Sequence, residues 1–148
     1  MTAVSTPTLL TIFGTTKPMQ GDAARIQSNA LGSWSRLAPG IQVLLIGDDF
    51  GAAELADELG IDHLQEVQRS PLGVPLLSDL FAQGQARATG AICVFANADI
   101  IFTDDLMPTI ETLSTFDGPF LAVGQRWDVH LDEALRFDDP NWGAELRR

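Results

Sequence analysis

The chain has 148 residues, 45% of them hydrophobic, and its 20 acidic and 9 basic side chains give a formal charge of −11. That length and apolar share suffice for one domain with a sizeable core and argue against intrinsic disorder. The charge repels nucleic acid and anionic membrane surfaces unless a basic patch intervenes; Lys17 is the only lysine, and Arg147 and Arg148 form the only adjacent basic pair.

The N-terminus has no positively charged region ahead of an apolar run, and no apolar stretch approaches the roughly 20 residues of a membrane span. The chain therefore reads as cytoplasmic. Its single cysteine, Cys93, lies inside "AICVFA" and is expected to be a buried, reduced thiol; an internal disulfide is excluded.

Along the chain the apolar period alternates between strand-like and helix-like, with turn residues at each switch. "TLLTIF" (8–13) predicts a first strand, and the loop "GTTKPMQGD" ends with Asp22 in position to cap a helix on which Ile26, Ala30, Trp34 and Leu37 share a face. "IQVLLI" (41–46) predicts a second strand, and "GDDFG" turns it into a short helix carrying Ala52, Leu55, Ala56 and Leu59 that stops at Gly60. "DHLQEV" (62–67) reads as a short third strand. A helix follows near 75–88 with Leu76, Leu77, Leu80 and Phe81 on one side and Gly90 as its stop.

"AICVFA" (91–96) is an unbroken apolar run, the pattern of a strand covered on both faces and expected near the centre of a sheet. Asp104 or Asp105 is placed to cap another helix, with Pro108 tolerated in its first turn. "FLAVG" (120–124) predicts the last strand, and residues 128–148 read as an irregular tail.

The order β-α-β-α-β-α-β-α-β predicts a single three-layer, Rossmann-like α/β domain with an open, mainly parallel sheet. Ligands of such sheets bind beyond the carboxyl ends of the strands, beside a topological switch point. Three polar clusters fall there: "GTTKP", "GDD" and "NAD".

The phosphate-cradling patterns G-x-G-x-x-G and G-x-x-x-x-G-K-[ST] are missing, and so is the nucleophile elbow G-x-S-x-G. The two histidines, His63 and His130, have no metal-ligand spacing. What remains is carboxylate chemistry. Asp99 stands two residues past Asn97 at the exit of an apolar strand, where hard oxygen ligands suit Mg²⁺ or Mn²⁺ bridging a diphosphate.

From Leu9 to about Trp127 the chain resembles the GT-A fold nucleotide-diphospho-sugar transferases, most of all the family 2-like glycosyltransferases. The resemblance is carried by "IGDD" after the second strand, "VQRSPLGVP" before a helix, "ARATGAICVF" into the apolar strand and "NAD" in the place of the family's D-x-D motif. It implies a protein that binds a UDP- or GDP-linked sugar with Mn²⁺ or Mg²⁺. Residue by residue, it implies that the stretch from Thr11 through Phe13 to Gly14 lines the nucleobase pocket, that Asp48 or Asp49 contacts base or ribose, and that Arg69 approaches base or diphosphate. Asp99 becomes the metal ligand and Asn97 faces the ribose or a metal-bound water.

Two departures stand out. Asn97 is an amide where the family carries an acid, and few residues follow Gln125 in which to build the family's acceptor half. The chain thus resembles the donor-binding half of such an enzyme, with an uncovered apolar face expected either to drive self-association or to leave the domain marginally stable.

Each assignment has a structural alternative. Asp99 can instead close a turn through its own side chain, "GDD" can be a solvated helix start, and Arg69 a surface loop residue. "GQRWD" offers Arg126 and Asp128 to the same edge, whereas His63, His130 and the three tryptophans read as packing or surface residues. Two function classes follow: a glycosyltransferase-like donor-binding protein, or a non-catalytic relative serving as a nucleotide-binding or interaction module.

Overall fold

The computed structural model describes residues 8–144 and 146; Arg147 and Arg148 lie outside them. The elements in chain order are β1 (Leu10–Gly14), α1 (Gly21–Trp34), β2 (Gln42–Ile46), α2 (Ala52–Leu59), β3 (Asp62–Leu64), α3 (Leu77–Arg87), β4 (Ile92–Phe95) and α4 (Leu106–Leu113).

The strands form one four-stranded sheet in the order β3-β2-β1-β4, and every pairing is parallel. Register places Phe13 beside Leu44 on one side and Phe95 on the other, and Ile46 beside Leu64. From β1 the chain steps outward to β2 and β3, then crosses back to place β4 on the other side of β1. The topological switch point therefore lies between the carboxyl ends of β1 and β4.

Alternation along the strands divides the core. Leu10, Ile12, Val43, Leu45 and Ile92 face one side, packed with Ala30, Leu31 and Trp34 of α1, Leu55 and Ala56 of α2, and Ile110 of α4. Phe13, Leu44 and Ile46 face the other side, with Leu80 of α3. This is a Rossmann-like α/β fold with helices on both faces.

Several expectations need correction. "AICVFA" supplies an edge strand of this sheet, not a central one, and Cys93 is exposed. "FLAVG" is expected to be the last strand, but residues 120–124 form no strand, and Leu121 and Val123 are 88% and 87% exposed. Strand propensity is realised only against a pairing partner and a face to bury, and this segment meets neither. Asp22 does not cap α1; Gln20 holds the N-cap position with no side-chain bond, and Asp22 pairs with Arg25 at 3.1 Å within the first turn. Asp105 occupies the N-cap position of α4, but its carboxylate accepts from the Thr103 hydroxyl and caps no backbone amide. Of the four apolar residues expected on one side of α3, only Leu80 is buried, while Leu76, Leu77 and Phe81 are exposed, and the helix ends at Arg87, ahead of Gly90. β3, at Asp62–Leu64, is shorter than the stretch 62–67 expected of it.

The tail is not wholly loose. The buried Asn29 of α1 donates to the Glu133 carbonyl at 3.0 Å and accepts from the Leu135 amide at 2.8 Å, and Arg36 lies 4.4 Å over the Phe137 ring. These contacts tie the segment after residue 131 to α1. No helix among the described residues is long and apolar enough to cross a membrane.

Candidate functional site at the carboxyl edge of the sheet

Three chain exits meet at the carboxyl edge, and each is held by its own contacts. After β1, Gly14 lets the backbone run close to the exit of β4: a Cβ there would collide with the Ala96 carbonyl oxygen. The loop that follows is pinned by the buried Gln27 of α1, whose amide accepts from the Lys17 N–H at 2.6 Å and donates to the Lys17 carbonyl at 3.1 Å. The Met19 amide then donates to the Phe50 carbonyl at 2.7 Å, joining the loop after β1 to the loop after β2.

After β2, Gly47 adopts a φ of 121°, a conformation suited to glycine. Its peptide groups are clamped by β3: the Gly47 amide donates to Leu64 O at 2.7 Å, and His63 Nε2–H donates to Gly47 O at 2.7 Å. His63 thus has a structural role in shaping the turn that delivers Asp48 and Asp49.

Both aspartates meet Arg69. Its Nη2 lies 2.8 Å from Asp48 Oδ1 and 3.2 Å from Asp49 Oδ2, and its Nη1 donates to Gly73 O at 2.8 Å. Arg69 stands at the base of a tight hairpin closed by Ser70 N to Val74 O and Gly73 N to Ser70 O, both at 2.8 Å. Gly73, at φ 80° after Ser70-Pro71-Leu72, takes the left-handed position that follows a type I turn. Burial works against the guanidinium's charge, but the hydrogen bonds and charges of Asp48 and Asp49 outweigh it and raise its pKa further above neutrality. Arg69 stays charged. With side-chain exposures of 25% for Arg69 and 18% for Asp49, the inner pair is sheltered; Asp48, at 67%, is open to solvent.

Near Gly47 lies an unsatisfied atom. Thr15 Oγ1 is buried and has no hydrogen-bond partner. A Cβ built on Gly47 would stand 3.0 Å from Thr15 Oγ1 and 3.8 Å from both Arg69 Nη2 and Asp49 Oδ2. The missing side chain at Gly47 therefore lets a hydroxyl, a carboxylate and a guanidinium come close to the same backbone position. Buried hydroxyls without a partner are uncommon in folded proteins, and a ligand acceptor or donor is one way to satisfy this one.

On the β4 side, Asn97 to Ile100 form a turn closed by Ile100 N to Asn97 O at 3.0 Å. Trp34 Nε1 donates to the Ile100 carbonyl at 2.7 Å, and the Phe102 amide donates to Ser33 Oγ at 3.0 Å, fastening the turn to α1. Ala98 is buried, while Asn97 and Asp99 are exposed. Asp99 sits at the third position of the turn, and its carboxylate makes no hydrogen bond or ion pair among the described residues. A turn closed by an Asx side chain would show such a bond; this turn is held by its backbone and by Trp34.

The structure thus joins Asp48, Asp49 and Arg69 and sets Asn97 and Asp99 across β1 from them, with Thr15 just past the end of that strand. Two residues of the sequence-based set point elsewhere. Thr11 is fully buried, its hydroxyl bonded to Gln42 Oε1 at 2.7 Å and accepting from Gly90 N at 2.9 Å, toward the amino end of the sheet. The Phe13 ring packs against Phe81 and Phe95 under α3, with centroids 5.4 and 5.6 Å away. Arg126 and Asp128 pair with each other on an exposed stretch. Two shallow concavities of about 300 Å³ each open near the amino edge, lined among others by Gln42 and Asp62, away from these groups.

Thr15 and Gly47 fall within the polar clusters "GTTKP" and "GDD", although sequence assigns neither a role of its own. The available signal was positional: each directly follows the last residues of a buried strand. Among the described residues no group of three or more His, Cys, Asp or Glu is assembled to hold a metal ion on its own. Mg²⁺-type ions often use one or two carboxylates together with substrate phosphates and water, and the unengaged Asp99 suits that shared mode. No family model matches the chain, and no curated protein matches it.

Proposed function

We propose that this protein binds a nucleoside-diphosphate sugar at the carboxyl edge of its sheet, as the donor-binding part of a GT-A-like glycosyltransferase. The observation that carries the reading is the unsatisfied Thr15 hydroxyl facing Asp49 and Arg69 across the side-chain-free Gly47 at φ 121°. That frame offers one acceptor carboxylate, one hydroxyl and one cation to a flat polar ring, the pattern of donors and acceptors that a pyrimidine or purine edge presents. Arg69 orients Asp49, and Asp49 accepts from a ring N–H. The diphosphate then extends across β1 toward Asn97 and Asp99. A divalent ion, Mn²⁺ or Mg²⁺, held by Asp99 together with phosphate oxygens, would supply charge neutralisation for a departing nucleoside diphosphate. The edge itself counts Asp48, Asp49 and Asp99 against Arg69 and Lys17, so an anionic ligand arrives at a site with no surplus positive charge of its own.

Asp49→Asn tests the base pocket with little change of volume. Hydrogen bonds to charged groups contribute about 1.5–3 kcal/mol, so the variant is expected to bind uridine or guanosine about tenfold more weakly or worse. Calorimetric titration giving unchanged nucleoside affinity would remove Asp49 from the site.

One observation favours the second reading, a non-catalytic nucleotide-binding or interaction module: Asn97 offers an amide where a second carboxylate would bind metal more firmly. Product formation from a donor sugar and an acceptor separates the two.

Self-association belongs to the same proposal. Phe116, Leu121, Val123, Trp127 and Val129 are exposed, Trp127 at 95%, along a stretch without secondary structure of its own after residue 118. Sedimentation velocity is expected to show a dimer or larger species that dissociates when Leu121 and Trp127 are replaced by serine. A monomer across the micromolar range would contradict it.

A further inference from the structure

We propose that Lys17 is the phosphate anchor of this edge, its ammonium meeting a phosphate of the bound nucleotide independently of any metal; the assignment rests on the nucleotide-binding reading above. The argument is one of charge. A nucleoside diphosphate brings two or more negative charges to an edge that already holds Asp48, Asp49 and Asp99. Arg69 brings no net positive charge to a phosphate, because its guanidinium is paired with both Asp48 and Asp49.

The other described cations are engaged or distant. Arg25 bonds Asp22 and the Leu131 carbonyl, Arg36 lies over Phe137, and Arg126 and Arg136 pair with Asp128 and Asp138. Arg87 ends α3, where its carbonyl accepts from Gln42 toward the amino edge. Lys17 alone is both at the carboxyl edge and without an ion pair among the described residues, although the chain carries 20 acidic side chains.

Its backbone is also fixed. Gln27, itself 4% exposed, holds both the amide and the carbonyl of Lys17, and the Met19–Phe50 bond closes the loop two residues later. A pinned stem reduces the ordering cost of placing a flexible side chain on a ligand. Lysine binds phosphate as a compact point charge and needs no bidentate geometry to do so. Thr15, two residues earlier, is the unsatisfied hydroxyl of the proposed base pocket, so Lys17 belongs to the same loop that supplies that hydroxyl.

The test uses the whole chain in EDTA, titrated with uridine, UMP and UDP. Lys17→Ala is expected to weaken UDP about tenfold, the loss of one charge-assisted contact, and to leave uridine unchanged. Lys17→Arg should restore UDP affinity to within about threefold, and the salt dependence of UDP binding should flatten in Lys17→Ala. Equal weakening of uridine and UDP would assign Lys17 a structural role and overturn the anchor. So would an unchanged UDP affinity. If the unaltered protein binds neither uridine nor UDP, the nucleotide reading itself fails and takes this assignment with it.

Discussion

Trp34→Ala is expected to destabilise the domain by about 3–5 kcal/mol, the range for removing a large buried aromatic side chain. Trp34 is 1% exposed and belongs to the core formed by α1, β1, β2 and α4. It also does more than fill space. Its indole N–H is bonded to the Ile100 carbonyl, and its ring lies 6.0 Å from Phe102, so the same substitution frees the turn that carries Asn97 and Asp99. Trp34→Phe keeps much of the volume but leaves the partly buried Ile100 carbonyl without its donor, which costs about 1 kcal/mol or somewhat more. Chemical denaturation should therefore rank the unaltered protein above Trp34→Phe and Trp34→Phe above Trp34→Ala. If Trp34→Phe were as stable as the unaltered chain, the indole bond would not be holding the turn.

The order of elements through α4 was legible because each strand from β1 to β3 ends in a turn signal and each helix repeats its apolar residues at three to four. Gly60 closing α2 is a case in point, with φ 64° at the C-cap. Position within the sheet was not legible. An unbroken apolar run such as "AICVFA" tells that both faces want cover, but not whether a further strand is there to provide it; here Cys93 looks out from an edge. "FLAVG" failed for the matching reason, since a strand is a property of a pair.

The site was legible in part. Asp48, Asp49 and Arg69 come from loops at the same edge, which the strand ends alone indicate, and they do converge. Thr11 and Phe13 lie away from that edge because only the last residue of a strand reaches it, whereas earlier ones alternate into the core. The partnerless hydroxyl of Thr15 and the clasp of Gln27 on Lys17 depend on contacts between elements far apart in sequence, and no local pattern announces them.

The second large effect concerns Asp99. Its carboxylate is exposed, unengaged, and carried by a turn fixed through Ile100 and Phe102 to α1. Removing it in Asp99→Ala deletes a charged oxygen ligand without disturbing any hydrogen bond among the described residues. The variant is expected to lose the whole Mn²⁺-dependent part of UDP-sugar binding while keeping its thermal stability. Asn97→Asp adds a second charged oxygen beside it and is expected to strengthen the metal-dependent part, because hard divalent cations gain affinity with carboxylate count. A lowered melting temperature in Asp99→Ala would point to a turn residue instead.

The most direct measurement is a titration of the unaltered protein with UDP and with UMP, each in Mn²⁺ and in EDTA. A metal shared between Asp99 and the two phosphates of a diphosphate predicts UDP binding about tenfold tighter or more in Mn²⁺ than in EDTA, with little change for UMP. Equal UDP affinity in Mn²⁺ and in EDTA would contradict the shared metal and leave Asp99 as a residue of the turn.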